Sequence, residues 1–221
     1  MTDNFKLYKD YINILGGLPD NNEKGNLDKY YVIELIRRGK DNPDMPAANY
    51  HFKNYYIYSW RDLDKYEEEI KNICDLLSLR AYASVNYKLM SQVSLDTLAE
   101  SARRIAVHDY KKFYNIFESC SGKFVDHGNN IWIVDIDKDD LILENCNVTL
   151  LSKLFKFINS LESSYTDNVI YDIPTKNGVH IICHSFNIKQ FNDNFNNLFG
   201  DMFKKIPDVK KNHLTLLYEN I

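Results

Sequence analysis

The chain has 221 residues, of which 27 are Lys or Arg and 31 are Asp or Glu, giving a formal net charge of −4. Its 16 tyrosines and 12 phenylalanines supply enough apolar surface for a folded core, which excludes a mainly disordered chain. The acidic balance argues against a protein that coats nucleic acid through bulk charge, although it leaves room for a local basic track. The sequence lacks a run of about 18 apolar residues, so we expect no membrane span. The polar start Met1–Asp10 is unlike a secretory signal, and we expect a cytoplasmic protein.

The four cysteines indicate the redox state of the protein. Cys74, Cys120, Cys146 and Cys183 lie far apart and form no CxxC pair. A structural zinc site needs closely spaced thiolates to build its tetrahedral geometry. We therefore expect reduced, mostly buried thiols.

Residues 1–53 are predicted to form an N-terminal extension rich in loops, followed by one domain over 54–221. Gly16, Gly17, Pro19 and Gly25 interrupt the first thirty residues, which indicates loops. Within the extension, Tyr30–Arg38 is predicted to be a short helix.

Stronger patterns begin after residue 54. Tyr55–Tyr58 is aromatic and β-branched, which is typical of a strand. Ser59–Asp62 has the form of a capping box before a helix, and Arg80–Lys88 alternates like a strand. A strand, a helix and a strand within about 35 residues predict a βαβ unit.

The later elements follow from apolar spacing and chain breakers. The further predicted helices are Ser94–Glu118, Asn147–Leu161 and Ile188–Phe203. The further predicted strands are Ile131–Asp137, Val169–Asp172, Val179–Cys183 and Leu214–Tyr218. The second and third of these strands are predicted to form a hairpin. The whole pattern predicts an α+β protein with a mixed sheet and packed helices.

Asp135 and Asp137 end a strand that is otherwise apolar. Residues two apart on a strand share one face at roughly 6–7 Å, so the two carboxylates repel each other unless a cation lies between them. Mg²⁺ and Mn²⁺ are hard cations that prefer such oxygen ligands and support phosphoryl or nucleotidyl transfer. The pair indicates either that chemistry or a solvated strand end, and the spacing alone leaves both open.

The turn of the predicted hairpin carries a second candidate feature. Lys176, Asn177 and Gly178 precede His180, which lies at the start of the next strand. Backbone N–H groups beside a lysine and a histidine can hold a triphosphate. The alternative is an ordinary turn next to a histidine whose hydrogen bonds are satisfied within the sheet. That alternative is favoured for the turn by itself, but not when the turn is considered together with the aspartate pair.

A third carboxylate would complete a metal site. Asp208 precedes a strand-like segment in a basic context, and Glu219 ends the last predicted strand. We favour Asp208 and keep Glu219 as the alternative.

The order of these elements resembles the archaeo-eukaryotic primase superfamily, especially the compact primase-polymerases of plasmids and phages. Members share a DxD or DxE, a small residue-x-His, and a hydrophobic residue followed by Asp or Glu. Val134–Asp137 is similar to the first motif and Gly178–His180 to the second. Pro207-Asp208, or alternatively Tyr218-Glu219, is similar to the third. The resemblance covers about residues 54–218.

The resemblance implies a catalytic core similar to an RNA-recognition fold, preceded by an αβ module. The implied activity is template-dependent nucleotidyl transfer by a DNA primase or polymerase, with nucleoside triphosphates and a single-stranded template as ligands. The implied catalytic and metal-binding residues, for Mg²⁺ or Mn²⁺, are Asp135, Asp137 and Asp208. The implied nucleotide-binding residues are His180, Lys176, Asn177 and Gly178. A helicase or another replication protein is an expected partner, and a phage-encoded chain would act in the host cytoplasm.

Two other functions stay open. The first is a non-catalytic nucleic-acid-binding accessory protein of replication on the same fold. It stays open because the third carboxylate has two candidates and because the net charge is acidic. The second is a two-histidine phosphoesterase, because His213-Leu214-Thr215 has the HxT form. Such enzymes need two facing HxT elements as acid and base, and His180-Ile181-Ile182 lacks the threonine.

Overall fold

A computed structural model describes residues 1–20, 28–39, 49–123, 130–142 and 148–220. Within these ranges it contains six α-helices and ten strands, which confirms the α+β class. The helices are α1 (Phe5–Ile14), α2 (Trp60–Leu77), α3 (Met90–Ala106), α4 (Ile116–Lys123), α5 (Val148–Asn159) and α6 (Ile188–Phe199). The strands are β1 (Thr2–Asp3), β2 (Lys29–Arg38), β3 (Asn49–Ile57), β4 (Arg80–Ser84), β5 (Lys88–Leu89), β6 (Ile131–Asp137), β7 (Val169–Thr175), β8 (Gly178–His184), β9 (Asp208–Lys211) and β10 (Leu214–Glu219). None of the described helices is both long and apolar enough to cross a membrane.

The strands form two sheets in place of the single mixed sheet that the sequence predicted. The first has the order β1-β10-β4-β2-β3, with β5 pairing one end of β2. The second has the order β7-β8-β6-β9. Every described strand pair is antiparallel. The predicted βαβ unit is present as β3-α2-β4, and β2 lies between its two strands and pairs with both.

The described part of residues 1–53 corrects two predictions. α1 replaces part of the predicted loop region, because Phe5, Tyr8, Tyr11 and Ile12 are buried at helical spacing. The predicted helix Tyr30–Arg38 is strand β2, which is buried on both faces. A strand with two buried faces shows no alternation, so periodicity cannot separate it from a helix. The boundary expected at residue 54 falls inside β3. Residues 21–27 and 40–48, where further loops were predicted, lie outside the described ranges.

Most of the later elements are confirmed within a few residues. There are two exceptions. The predicted strand Arg80–Lys88 forms two short strands, β4 and β5. The predicted helix Ser94–Glu118 forms two helices, since α3 ends at Ala106 and a short 3₁₀ turn at Phe113–Asn115 precedes α4. The predicted hairpin is β7–β8, and α6 ends four residues before the predicted Phe203.

Three clusters of buried apolar side chains hold these elements together. The first lies between the two sheets and includes α1, α2 and the inner face of the second sheet, to which Ile133 and Ile182 belong. The second packs α5 and α6 on the outer face of the second sheet, against Val134 and Ile181. The third packs α3 and α4 on β2. Because Ile133 faces the first cluster, Asp135 and Asp137 point toward the first sheet as well.

The predicted cap of α2 is present. The Ser59 hydroxyl accepts a hydrogen bond from the Asp62 N–H at 3.2 Å, and the Asp62 carboxylate accepts one from the Tyr58 N–H at 3.1 Å.

Ser59→Ala should lower the free energy of unfolding by about 1 kcal/mol, because it leaves the Asp62 N–H without this acceptor. Urea denaturation measures the change. Ser101→Ala, inside α3, is the control and should not destabilise, since Ala favours helix. An unchanged midpoint for Ser59→Ala would contradict the prediction.

Three of the four cysteines lie within the described ranges. Cys74, Cys120 and Cys183 are buried and form no disulfide, as predicted, and Cys146 is outside those ranges. Burial raises the pKa of the Cys74 and Cys183 thiols to about 12, so both are protonated at neutral pH.

Candidate functional site

A cleft of about 410 Å³ lies between the two sheets, at the end where β6 reaches Asp137. Its volume is in the range of small-molecule sites. One wall comes from the first sheet and includes Arg38 and Arg80, and the other comes from the second sheet and includes Lys176 and Lys210. The cleft is therefore built jointly by both sheets.

The lining of the cleft is more positive than the chain as a whole. It holds four Lys or Arg side chains, two carboxylates and two histidines. With neutral histidines this gives a charge of 4 − 2 = +2, against −4 for the whole chain. The carboxylates are Asp135 and Asp137, and the histidines are His180 and His213. Such a lining favours an anionic ligand.

The strand register brings the three sequence motifs together. Asp135 lies opposite His180 on β8 and opposite Asp208 on β9, and Asp137 lies opposite Gly178. Directly opposed residues of an antiparallel pair point to the same face. Asp208 is exposed at the start of the edge strand and is not one of the residues that line the cleft. The motifs thus meet on three neighbouring strands, with Asp208 at the rim.

His180 connects the two sheets. Its Nε2 lies 3.3 Å from Asp135 Oδ1, and its Nδ1 shares a hydrogen bond of 3.0 Å with the hydroxyl of Thr215 on β10. Thr215 is fully buried, and the His180 side chain is only 10% exposed. Both ring nitrogens are therefore engaged, which fixes the orientation of the ring.

The other carboxylate oxygen of Asp135 is paired with Lys210. Lys210 Nζ donates a short hydrogen bond to Asp135 Oδ2. Burial by itself would raise the pKa of Asp135, but the hydrogen bonds from His180 and Lys210 and the positive charge of Lys210 hold this pKa well below its usual range. Asp135 is therefore an anion at neutral pH, neutralised by groups of the protein.

The hairpin turn lies against the end of β6. Lys176 and Asn177 line the cleft, and the Lys138 N–H donates to the Asn177 carbonyl oxygen at 2.7 Å. Gly178 does not line the cleft, and it faces the backbone of Ile136 instead. The turn thus contributes one cation and one amide side chain to the second wall.

The alternative third carboxylate, Glu219, has a different role. It is buried, and its Oε2 lies 3.0 Å from Arg80 Nε in the first sheet. Each residue of a buried ion pair neutralises the charge of the other, and removing either one destabilises the fold. We therefore interpret the Arg80–Glu219 pair as support for the first wall of the cleft. Asp208 is the better candidate by position.

The Mg²⁺ or Mn²⁺ ion implied by the resemblance does not fit the arrangement described here. Within the described ranges, no group of three or more His, Cys, Asp or Glu residues is arranged to hold a metal ion. The physical reason is visible at Asp135, where one oxygen faces His180 and the other pairs with Lys210. An added divalent cation at Oδ2 would be repelled by the lysine ammonium group.

The HxT element of β10 also reaches the cleft. His213 lines it together with His180, but Thr215 is used to hold the His180 ring. Since both nitrogens of His180 are engaged, the two histidines do not form a symmetric acid–base pair.

Among the Lys, Arg and His side chains that line the cleft, the sequence did not assign four to this site: Arg38, Arg80, Lys210 and His213. The sequence could have placed Lys210 at this site, because Lys210 stands two residues after Asp208 and shares its face of the strand. It could not have placed Arg38 and Arg80 there, because only the packing of the two sheets brings the first wall of the cleft to the second.

Comparisons with models of known protein families, with curated proteins and with solved structures gave no match to this chain.

Proposed function

We propose that this protein is a template-dependent nucleotidyltransferase, a primase or polymerase, that acts in the cleft between the two sheets. The observation that carries the proposal is the convergence of three motifs that are distant in the sequence. Asp135, His180 and Asp208 occupy directly opposed positions on β6, β8 and β9. Nucleoside triphosphates and a single-stranded template would be the ligands.

The topology of the second sheet supports the same proposal. Its elements follow the order β6-α5-β7-β8-α6-β9, a βαββαβ arrangement, with α5 and α6 on one face. This is the connectivity expected of a core similar to an RNA-recognition fold. The opposite face carries Asp135 and Asp137. The strands β1 to β5 of the first sheet precede this core in the chain, where the proposal expects an αβ module, and β10 follows it.

The cationic lining suits a triphosphate. Lys176 and Lys210 on one wall and Arg38 on the other would bind its phosphate oxygens through charge-assisted hydrogen bonds. In the reaction, the 3′-hydroxyl oxygen of the growing strand forms a bond to the α-phosphorus. The bond from this phosphorus to the bridging oxygen breaks, pyrophosphate leaves, and the hydroxyl proton is released. The lysines would stabilise the charge that develops on the leaving group.

Asp137→Asn tests the catalytic part of the proposal, because the change keeps the shape of the side chain and removes its charge. Nucleotide incorporation on a primed single-stranded template should fall about 100-fold or more, the size of effect expected for a group at the reacting atoms. Nucleotide binding should be retained or tighter, because a negative charge is removed from an anion site. Gel-based primer extension and fluorescence anisotropy with a labelled nucleotide measure the two quantities.

Asp139→Asn is the matched control, since Asp139 is an exposed acid in the adjacent 3₁₀ turn and does not line the cleft. Full incorporation by Asp137→Asn would refute the proposal. A wild-type protein that incorporates neither dNTPs nor NTPs, but binds single strands with a steep salt dependence, would instead be the accessory protein. Hydrolysis of a cyclic phosphate that is lost in His213→Ala would indicate the phosphoesterase.

A further inference from the structure

The connection between α3 and α4, residues 107–115, presents two tyrosines at the surface. Tyr110 is 59% exposed and Tyr114 is 82% exposed. Most other tyrosines of the described ranges are buried or partly buried in the three clusters, as is usual for large aromatic side chains. The α3–α4 connection therefore offers two aromatic rings to a ligand.

Hydrogen bonds fold this connection back on the end of α3. Arg104 Nη1 donates to the Lys111 carbonyl oxygen at 2.8 Å, and the Lys111 N–H donates to Asp109 Oδ1 at 3.2 Å. The ring of Tyr110 lies edge-on to that of His108, with the centroids 6.3 Å apart. These contacts hold the connection in one conformation, so it can present a defined surface.

The same part of the chain is positively charged. Residues 100–114 hold four Lys or Arg and two Asp or Glu, a charge of 4 − 2 = +2 with neutral histidine, against −4 for the whole chain. Arg103 and Arg104 share the carboxylate of Glu100, at 2.8 and 2.9 Å. Lys111 and Lys112 are exposed and stand between the two tyrosines in the sequence. Cations placed in this way can bind phosphate groups on either side of a stacked base.

A second cavity, of about 130 Å³, extends from the cleft to α4, which begins directly after the α3–α4 connection. His213 and Leu214 line both this cavity and the cleft. The second cavity carries Lys88 and two glutamates, Glu34 and Glu118. Phosphate groups are therefore favoured at the two positive ends of this path, the cleft and the α3–α4 connection, and disfavoured over the cavity between them.

We propose that the α3–α4 connection binds single-stranded nucleic acid outside the cleft. Bases stack on Tyr110 and Tyr114, and Lys111 and Lys112 bind the adjacent phosphate groups. Aromatic rings interleaved with cations bind single strands in this way without reading their sequence. The inference rests on the proposed function for the identity of the strand, which is the template. The contact itself requires neither a nucleotide nor a metal ion.

Another protein is the alternative ligand for this region, because α3 also exposes Leu95, Leu98 and Ile105. Protein interfaces are depleted in lysine relative to the rest of the surface. Lys111 and Lys112 accompany the exposed tyrosines of the α3–α4 connection, so this surface favours nucleic acid.

The first test measures binding of a fluorescent oligo(dT) of about 15 nucleotides by anisotropy, with no nucleoside triphosphate present. Tyr114→Ala should weaken binding about tenfold, because one base loses its stacking partner. Tyr114→Trp keeps a stacking ring and should bind at least as tightly as the wild type. Leu98→Ala removes an exposed aliphatic side chain from α3 and should bind like the wild type. If Tyr114→Ala does not fold, as judged by circular dichroism, Tyr114→Leu takes its place.

The second test measures the salt dependence of the same binding. The double variant Lys111→Gln, Lys112→Gln should reduce the slope of log affinity against log salt by about 1.4, since each phosphate contact to a single strand contributes about 0.7. Lys153→Gln with Lys156→Gln is the matched control. These lysines are exposed on α5, which packs on the face of the second sheet opposite the cleft, so the slope should not change.

The outcomes separate this inference from the proposed function. Wild-type binding by Tyr114→Ala would overturn the inference, whatever the effect of Asp137→Asn on incorporation, and so would an equal loss in Leu98→Ala. An unchanged salt slope in the lysine variant would overturn it as well. A dimer in sedimentation that Tyr114→Ala dissociates, with oligo(dT) binding unchanged, would show that the surface joins two copies of the chain instead. Both expected changes in a protein that incorporates no nucleotide would support this surface and refute the polymerase.

Discussion

Gly178→Ala should lower the free energy of unfolding by more than about 3 kcal/mol, although it adds only a methyl group. Gly178 lies opposite Asp137 in the β6–β8 pair. A Cβ at this position would lie 2.9 Å from the carbonyl carbon of Ile136, 3.1 Å from the Cα of Asp137, and closer still to the Ile136 carbonyl oxygen. Backbone atoms can make room only if the strands separate. Overpacking usually costs about 1–3 kcal/mol, and the loss of hydrogen bonds between the strands adds to it.

Urea denaturation measures this effect, and nucleotide binding should be lost with it because the strands separate beside Asp137. Gly122→Ala is the matched control. Among the described residues, a Cβ on Gly122, an exposed residue of α4, would meet no atom within 4 Å apart from its chain neighbours and the backbone of its own helix. This change should therefore be neutral or stabilise by up to about 1 kcal/mol. Wild-type stability in Gly178→Ala would mean that β6 and β8 do not approach each other as described.

Gly178 also illustrates how far a local pattern can be interpreted. The sequence placed a glycine at the right point in the hairpin, and the hairpin is confirmed. The reason for the glycine is the close approach of β6. Because β6 lies some forty residues earlier in the sequence, a local pattern around Gly178 does not reveal this contact. Its nucleotide-binding role stays a prediction.

The elements with one exposed face or a clear boundary could be predicted from the sequence. β6 ends at two aspartates, α2 begins at the Ser59 cap, and α6 carries a stripe of phenylalanines. β2 could not be predicted, because the first cluster of buried side chains covers one of its faces and α3 and α4 cover the other. Its apolar run lacks the alternation on which the distinction between strand and helix depends.

The candidate site was predictable only on the wall built by the second sheet. Asp135, His180 and Lys176 stand at recognisable places in strands and turns that are local in sequence. Thr215 and Arg80 approach them through contacts between the sheets, which depend on the packing of the first core. The ion pair of Lys210 and Asp135 was predictable in part. The alternation of β9 identifies the face of the sheet on which Lys210 lies, but it does not identify Asp135 as its partner.

Phe195→Ala should lower the free energy of unfolding by about 3–5 kcal/mol, the cost of emptying a phenylalanine site in a packed core. Phe195 is fully buried on α6. Four other aromatic rings surround it at centroid distances of 5.0–6.1 Å, those of Phe157, Phe191, Phe199 and Phe203. Aromatic rings packed at these distances can move little into the emptied space, so we expect little relaxation.

The measurement is again urea denaturation, with Leu198→Ala as the control on the same helix. Leu198 is 57% exposed, so its truncation should change the free energy by no more than about 0.5 kcal/mol. Because α6 packs on the face of the second sheet opposite the cleft, folded Phe195→Ala should bind nucleotide with wild-type affinity. If Phe195→Ala lowers the free energy of unfolding by less than about 1 kcal/mol, the second cluster of buried side chains is loosely packed. Weaker binding by the folded variant would show that the outer face of the sheet controls the position of Asp135 and Asp137.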